Sequence, residues 1–286
     1  MFNIIEKRKI LFLIPCVILL AGIICFIING GLNTDIDFTG GTAMEIDLGQ
    51  EFNEEAIRDA VATVEGVKIS SVQSSGSNKA IVKTAELPHE TLVKVQDALK
   101  VAFPEAEISS VDSVSATMGR EMWWSAAKAV ILAVILMLVY IWIRFELHSG
   151  ISAVLALCHD VIIIISFYAI FQFPVNSTFI AAILTILGYS INATIVVFDR
   201  IRENTKLTRK SSFNDIVNES VWQTLGRSVN ASVTTLLTLV CLYILGVTSI
   251  KQFALPLIIG VVCGTYSSVF ISGQFWALLR GSKKAK

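Results

Sequence analysis

The chain has 286 residues, 54% of them hydrophobic and only 16% charged, with a mean hydropathy of +0.68. Soluble globular proteins carry about 25% charged residues, so this chain cannot cover a water-facing surface unless much of it faces lipid. The same figures exclude a disordered chain, a collagen and a disulfide-stapled secreted module. With 23 Lys plus Arg against 23 Asp plus Glu, the net charge is uninformative and the placement of charge carries the information.

Six segments reach the roughly 20 largely apolar residues that a membrane helix needs: 10–28, 125–143, 151–173, 177–198, 229–247 and 253–279. They divide the chain into an N-terminus with the first span (1–28), an exported domain (29–124), spans two to four (125–198), a loop with an amphipathic helix (199–228), spans five and six (229–279) and a basic tail (280–286). The first run is too long for the apolar core of a cleaved signal peptide, and Asn29-Gly30-Gly31-Leu32 is a poor cleavage site, so it reads as a retained anchor.

Positive charge sets the expected direction. With the N-terminus inside, the inner segments hold Lys7, Arg8, Lys9, Arg144, Arg200, Arg202, Lys206, Arg209, Lys210, Arg227, Arg280, Lys283, Lys284 and Lys286, more than half of the 23 Lys and Arg. Among the short outer loops, Lys251 is the exception. Both termini are then cytoplasmic, and 29–124 lies beyond the inner membrane of a bacterial cell. All five cysteines (Cys16, Cys25, Cys158, Cys241 and Cys263) fall in spans and read as small packing residues.

The segment after the first span carries Asp35-Ile36-Asp37-Phe38-Thr39-Gly40-Gly41-Thr42. Adjacent glycines permit positive φ and close backbone approach. An anion-binding nest is one use of such a turn, and a tight turn into the first strand is the simpler one. Beyond it, residues 42–48 alternate as a strand. Residues 53–64 form a helix capped by Asn53, with Ala56, Ile57, Ala60, Val61 and Val64 on one face. Residues 67–73 form a strand, Ser74-Ser75-Gly76-Ser77-Asn78 a turn and 79–84 the returning strand. Pro88 opens a helix carrying Leu92, Val95, Leu99 and Phe103, and 108–114 is a last strand. The order β-α-β-β-α-β is the split ferredoxin-like pattern. The fold class is therefore an α-helical membrane protein of six spans with one α+β ferredoxin-like extracytoplasmic domain. No catalytic residue and no metal set is expected. His89 stands alone, and the spacing of the acidic residues matches no calcium loop.

Within the spans, charge marks function by default, because burying it in a bilayer costs about 2.5 to 3.5 kcal/mol on insertion scales. Asp160 lies near mid-depth of span three and must meet a partner, meet water or be neutral. A structural hydrogen bond between helices is the alternative. His159 adjoins it but points about 100° away around a helix. In span four, Tyr189 and Asn192 share a face and suit a polar stripe. Arg227 opens span five as either a snorkelling end residue or an interior counter-ion. Ser267, Ser268, Ser272 and Gly273 suit close packing in span six. Ser212 with Asp215 three residues on resembles a capping box. The helix that follows, with Ile216, Val217, Val221 and Leu225 on one face, is expected to lie among headgroups.

Together, Asp37-Phe38-Thr39-Gly40-Gly41-Thr42, His159-Asp160, Gly188-Tyr189-Ser190-Ile191-Asn192 with Phe198-Asp199-Arg200, and 224–235 resemble the SecF family of bacterial protein-export subunits, relatives of the resistance-nodulation-division transporters. The resemblance covers essentially the whole chain. It implies a SecD partner, work beside the SecYEG channel on exported unfolded polypeptides, and energy from a proton or sodium gradient. No cofactor, enzyme activity or nucleic acid is implied, and no Gly-x-x-x-x-Gly-Lys-Ser/Thr nucleotide loop occurs. The family pattern places a relay aspartate directly after Ser-Ile-Asn, where this chain has Ala193, and Arg227 matches the relay arginine. Three explanations stand open: the acid of SecD suffices, Asp160 has taken over, or the position carries an inactivating substitution. Asp160, Asn192 and Arg227 are the expected relay and support residues, and Asp199 and Arg200 are expected to shape the inner end of span four. A non-conducting scaffold joining SecD to the channel, or a small-molecule efflux half-transporter, are the other readings.

Overall fold

The computed structural model describes residues 4–74, 78–144, 146–208 and 211–280. Ser75, Gly76 and Ser77 of the expected turn, the basic pair Arg209 and Lys210, and the tail with Lys283, Lys284 and Lys286 lie outside those residues. The chain divides into two compact units, Thr34–Lys128 and the remainder.

In the smaller unit, β1 (Gly41–Asp47), α3 (Glu54–Ala62), β2 (Ile69–Ser74), β3 (Lys79–Thr84), α4 (His89–Ala102) and β4 (Glu107–Val114) follow a four-residue helix α2 (Ile36–Thr39). The strands pair in the order β2-β3-β1-β4, every pair antiparallel. That order inserts β3 between β1 and β2, which is the split crossover. Period-2 alternation turns Met44 and Ile46 inward against Ile57, Val61, Val95 and Leu99, all at most 1% exposed. Asn53 caps α3 by accepting from the Glu55 amide at 3.2 Å.

The segment leading into β1 is more than a turn. Asp35 accepts from the Ile36 amide at 2.7 Å and pairs with Lys83 at 3.0 Å, both charges buried. Gly40 and Gly41 take φ +74° and +137°. A Cβ on Gly40 would meet the Ala116 backbone at 2.8 Å, and one on Gly41 would meet the Thr84 carbonyl at 2.5 Å. Phe38 packs edge-on to Trp123, 5.3 Å between ring centres. The glycines thus serve close packing of the chain on β3 and on the start of α5 (Ala116–Arg144).

The larger unit holds α1 (Arg8–Ile28), α5 from Ala129, α6 (Leu147–Phe171), α7 (Ser177–Leu207), α8 (Phe213–Leu245) and a last span. That span comprises α9 (Thr248–Tyr266), a π-helical turn Ser267–Ile271 and α10 (Ser272–Arg280). Among the described residues, six helices are long and apolar enough to cross a membrane, and the chain is a multi-pass membrane protein. Their outward apolar residues, such as Ile27, Leu136 and Leu237, are what a lipid-facing surface requires.

Two helices run past the ends that hydropathy suggests. Nothing in 199–207 breaks a helix, and Arg200–Glu203 and Arg202–Asp199 pair at i, i+3, so α7 continues to Leu207. Ser212 caps α8 by accepting from the Asp215 amide at 3.2 Å. Phe213, Ile216, Val217 and Val221 are then buried with Val197, Phe198, Ile201 and Trp276. The apolar face expected among headgroups packs into the bundle instead, because the partners that cover it lie on α7 and α10. The connection shrinks from 199–228 to the few residues between Leu207 and Phe213.

Candidate functional site

Small residues let the central helices approach. A Cβ on Gly260 of α9 would overlap the Ile186 side chain of α7, and one on Gly264 would press on Ser190 at 3.2 Å. This closeness places the side chains of α6, α7 and the last span within hydrogen-bond reach around Asp160.

Asp160 is fully buried and near the middle of α6, about 20 Å from the helix start at about 1.5 Å per residue. Its Oδ2 accepts from Ser190 Oγ at 2.5 Å and from Ser267 Oγ at 2.9 Å. Its Oδ1 lies 3.0 Å from His159 Nδ1. The helical wheel separates His159 from Asp160, yet both side chains bend along the helix surface and the imidazole meets the carboxylate. Next to this cluster, Thr194 and Ser268 share a hydrogen bond at 3.0 Å, and Ser268 donates to the Ser190 carbonyl at 3.4 Å. The π turn holds one more residue than an α turn, and with it the adjacent Ser267 and Ser268 are both fully buried. Ser267 is expected from the sequence only as a packing residue, and Ser190 enters there only as part of the 188–192 string; the structure makes both donors to Asp160. Their signal was a run of small hydroxyl residues level with a buried acid.

Asn192 and Arg227 are not part of this cluster. Both are exposed on the subunit, as are Gly188, Thr185 and Asn230. Together they form a polar face on α7 and α8 within otherwise apolar surroundings. Tyr189 and Asn192 do not join in one stripe. Tyr189 turns toward α8 and donates to Ser232 Oγ at 3.1 Å, which also accepts from Thr265 at 2.6 Å. Arg227 lies about 21 Å along α8 from Phe213 at about 1.5 Å per residue.

Ala193 is partly buried between two contacts that fix the register of α7 against α8. Tyr189 meets Ser232, and Arg200 Nε meets Gln223 Oε1 at 2.6 Å. The helices run antiparallel there, so Ala193 falls about level with Ser228. Ser228 is buried, and its hydroxyl has no hydrogen-bond partner among the described residues. A methyl thus stands about level with the Ser228 hydroxyl and with position 227 on α8.

At the end of α7, Asp199 lies 4.0 Å from Arg144 and 3.6 Å from Arg202. Arg200 pairs with Glu203 at 2.7 Å. Asp37, Phe38, Gly40, Gly41 and Thr42 belong to the other unit. Among the described residues no three His, Cys, Asp or Glu side chains gather as a metal set.

The family model described as protein export membrane protein SecD/SecF, C-terminal, matches residues 94–282. A protein translocase subunit SecF from Sebaldella termitidis is 38% identical over 287 residues, covering 99% of this chain and 93% of that protein. A SecDF subunit from Bacillus subtilis is 37% identical across 98% of this chain, which spans 38% of its length. The crystal structure of SecDF from Thermus thermophilus, a translocon-associated membrane protein, superposes with a TM-score of 0.88 at 30% identity, covering 98% of this chain and 38% of that one. The chain therefore belongs to the SecD/SecF family of protein export membrane proteins, as a member of its SecF branch.

Proposed function

We propose that the chain works with a SecD-like partner beside a protein-conducting channel and uses an ion gradient to help draw exported polypeptides across the membrane. The Bacillus subtilis relative joins a SecD-like and a SecF-like part in one chain, which supports such a partner. The observation that carries the reading is the fully buried Asp160 at mid-span, held by hydroxyls from two other helices. A charge placed there is costly in a bilayer and fits a site that takes up and releases an ion. The exposed polar face with Asn192 and Arg227 is where the partner's acid completes the pathway. On this reading the termini face the cytoplasm, the membrane is the cell membrane, and the ferredoxin-like domain handles the emerging chain outside.

A second reading, a scaffold that does not conduct, is favoured by Ala193, since a methyl carries no ion. Ion flux and export are measured in vesicles containing this chain, its SecD partner and the channel. Gradient-dependent stimulation supports coupling. Stimulation that survives an uncoupler supports the scaffold.

A further inference from the structure

Asp160 spends both carboxylate oxygens on donors: two serine hydroxyls on Oδ2 and the His159 ring on Oδ1. With Asp160 ionised the carboxylate only accepts, and His159 Nδ1 then carries the hydrogen of the shared bond. Nε2 is then the acceptor nitrogen of a neutral imidazole. It is buried and has no hydrogen-bond partner among the described residues, while the ring keeps 15% exposure. We propose that His159 Nε2 is the atom that takes the proton at this site, and that Asp160 is its positioning counter-ion rather than the carrier. The inference rests on the ion-coupled reading above and narrows it to one ion and one atom.

The step balances simply. The Nε2 lone pair accepts a proton from hydronium, the N–H bond forms and a water molecule is left. Nδ1 keeps its hydrogen, and the ring becomes an imidazolium beside the carboxylate. The unloaded pair carries one uncompensated negative charge, and the loaded pair is neutral overall. Because a lone charge at this depth is the costly state, proton uptake lowers the electrostatic cost of burial, and release requires that cost to be met by the gradient. Sodium fits less well, since a hard cation takes oxygen ligands and one carboxylate oxygen is covered by imidazole.

Other ionisable groups near the pair are few. The last span brings Cys263 and Tyr266. Helix α7 brings Tyr189, and its charged residues begin at Asp199, nine positions past Ser190 and about 13 Å along the helix at about 1.5 Å per residue. Helix α1 carries Cys16 and Cys25, with Arg8 and Lys9 in its first turn, and α10 carries Arg280 alone.

The test uses the full chain with its SecD partner in lipid vesicles, labelled with 15N in histidine. The chain has three histidines, His89, His148 and His159, and His159→Gln identifies the ring signal. On acidification, the His159 Nε2 resonance is expected to move from the range of an unprotonated ring nitrogen to that of a protonated one. Nδ1 stays protonated throughout. Asp160→Asn is expected to spread the ring over both tautomers, which a purely structural acid would not do. In the same vesicles His159→Gln abolishes proton flux. A ring that keeps one protonation state through the acid-to-neutral range overturns the proposal, whatever the variants do. So does proton flux that persists in well-folded His159→Gln. Sodium-dependent flux with a silent ring sinks this inference while leaving ion coupling intact, whereas no flux of any ion in the native complex sinks the coupled reading itself.

Discussion

The Tyr266 hydroxyl donates to the Leu11 carbonyl at 2.6 Å. That carbonyl lies four residues before Pro15, the buried proline inside α1, and so lost its helical donor when proline took position 15. A side chain from the last span replaces the missing N–H.

Tyr266→Phe is accordingly expected to destabilise the chain by about 1 kcal/mol. Pro15→Ala restores the backbone donor and should make the same tyrosine change nearly neutral. A double-mutant cycle in thermal unfolding of the detergent-solubilised chain reads the coupling. Equal costs of Tyr266→Phe in the native chain and in the Pro15→Ala background would refute the replacement.

Asp35 and Lys83 are buried together in the sheet unit. Asp35→Asn keeps an oxygen for the Ile36 amide but leaves the Lys83 ammonium uncompensated, which costs about 3–5 kcal/mol for a buried pair. Hydrogen exchange in 79–84 should accelerate markedly. Changing both residues, Asp35→Asn with Lys83→Met, should recover most of the loss, and failure to recover would show that the uncompensated Lys83 charge is not its cause.

Gly260 lets α9 lie against Ile186 of α7. Gly260→Ala is expected to push these helices apart and weaken the hydroxyl contacts around Asp160, lowering ion flux along with stability. Ile186→Ala in the Gly260→Ala background makes room for the added methyl and should restore both. Thermal unfolding and vesicle flux on the same samples check this.

Ala193→Asp places a carboxylate level with Ser228 and Arg227. Because the buried Ser228 hydroxyl has no partner among the described residues, the acid gains a donor at once and the substitution should fold well. Proton flux in vesicles with the SecD partner should rise. Unchanged flux would show that position 193 is not a missing relay acid.

Much of this architecture was legible because its signals are one-dimensional. The apolar runs mark six spans, alternation in 42–48 marks the first strand of the smaller unit, and the turn chemistry of 74–78 marks 79–84 as its returning strand. What escaped depends on neighbours distant in sequence. Hydropathy ends span four near Phe198, but Asn204 is buried and donates to Ser220 at 2.8 Å and Gln223 at 2.8 Å, so a polar stretch continues as helix with one face covered. The helical wheel kept His159 and Asp160 apart because it tracks Cβ directions and not the reach of a ring. Ser190 and Ser267 are far apart along the chain, and only the close approach allowed by Gly260 and Gly264 brings them to one carboxylate.

The π turn at Ser267–Ile271 also fixes a phase. One residue more in that turn rotates everything after it by about 100° relative to an uninterrupted α-helix. The Ser267 donor to Asp160 and the packing of Trp276 against Phe198 and Phe213 are therefore compatible only while the bulge persists. Were the bulge to slide or dissolve, either the carboxylate would lose a hydroxyl or the indole would swing out of its aromatic nest. The last span thus ties the Ser267 hydroxyl at Asp160 and the seat of Trp276 to the phase of a single turn.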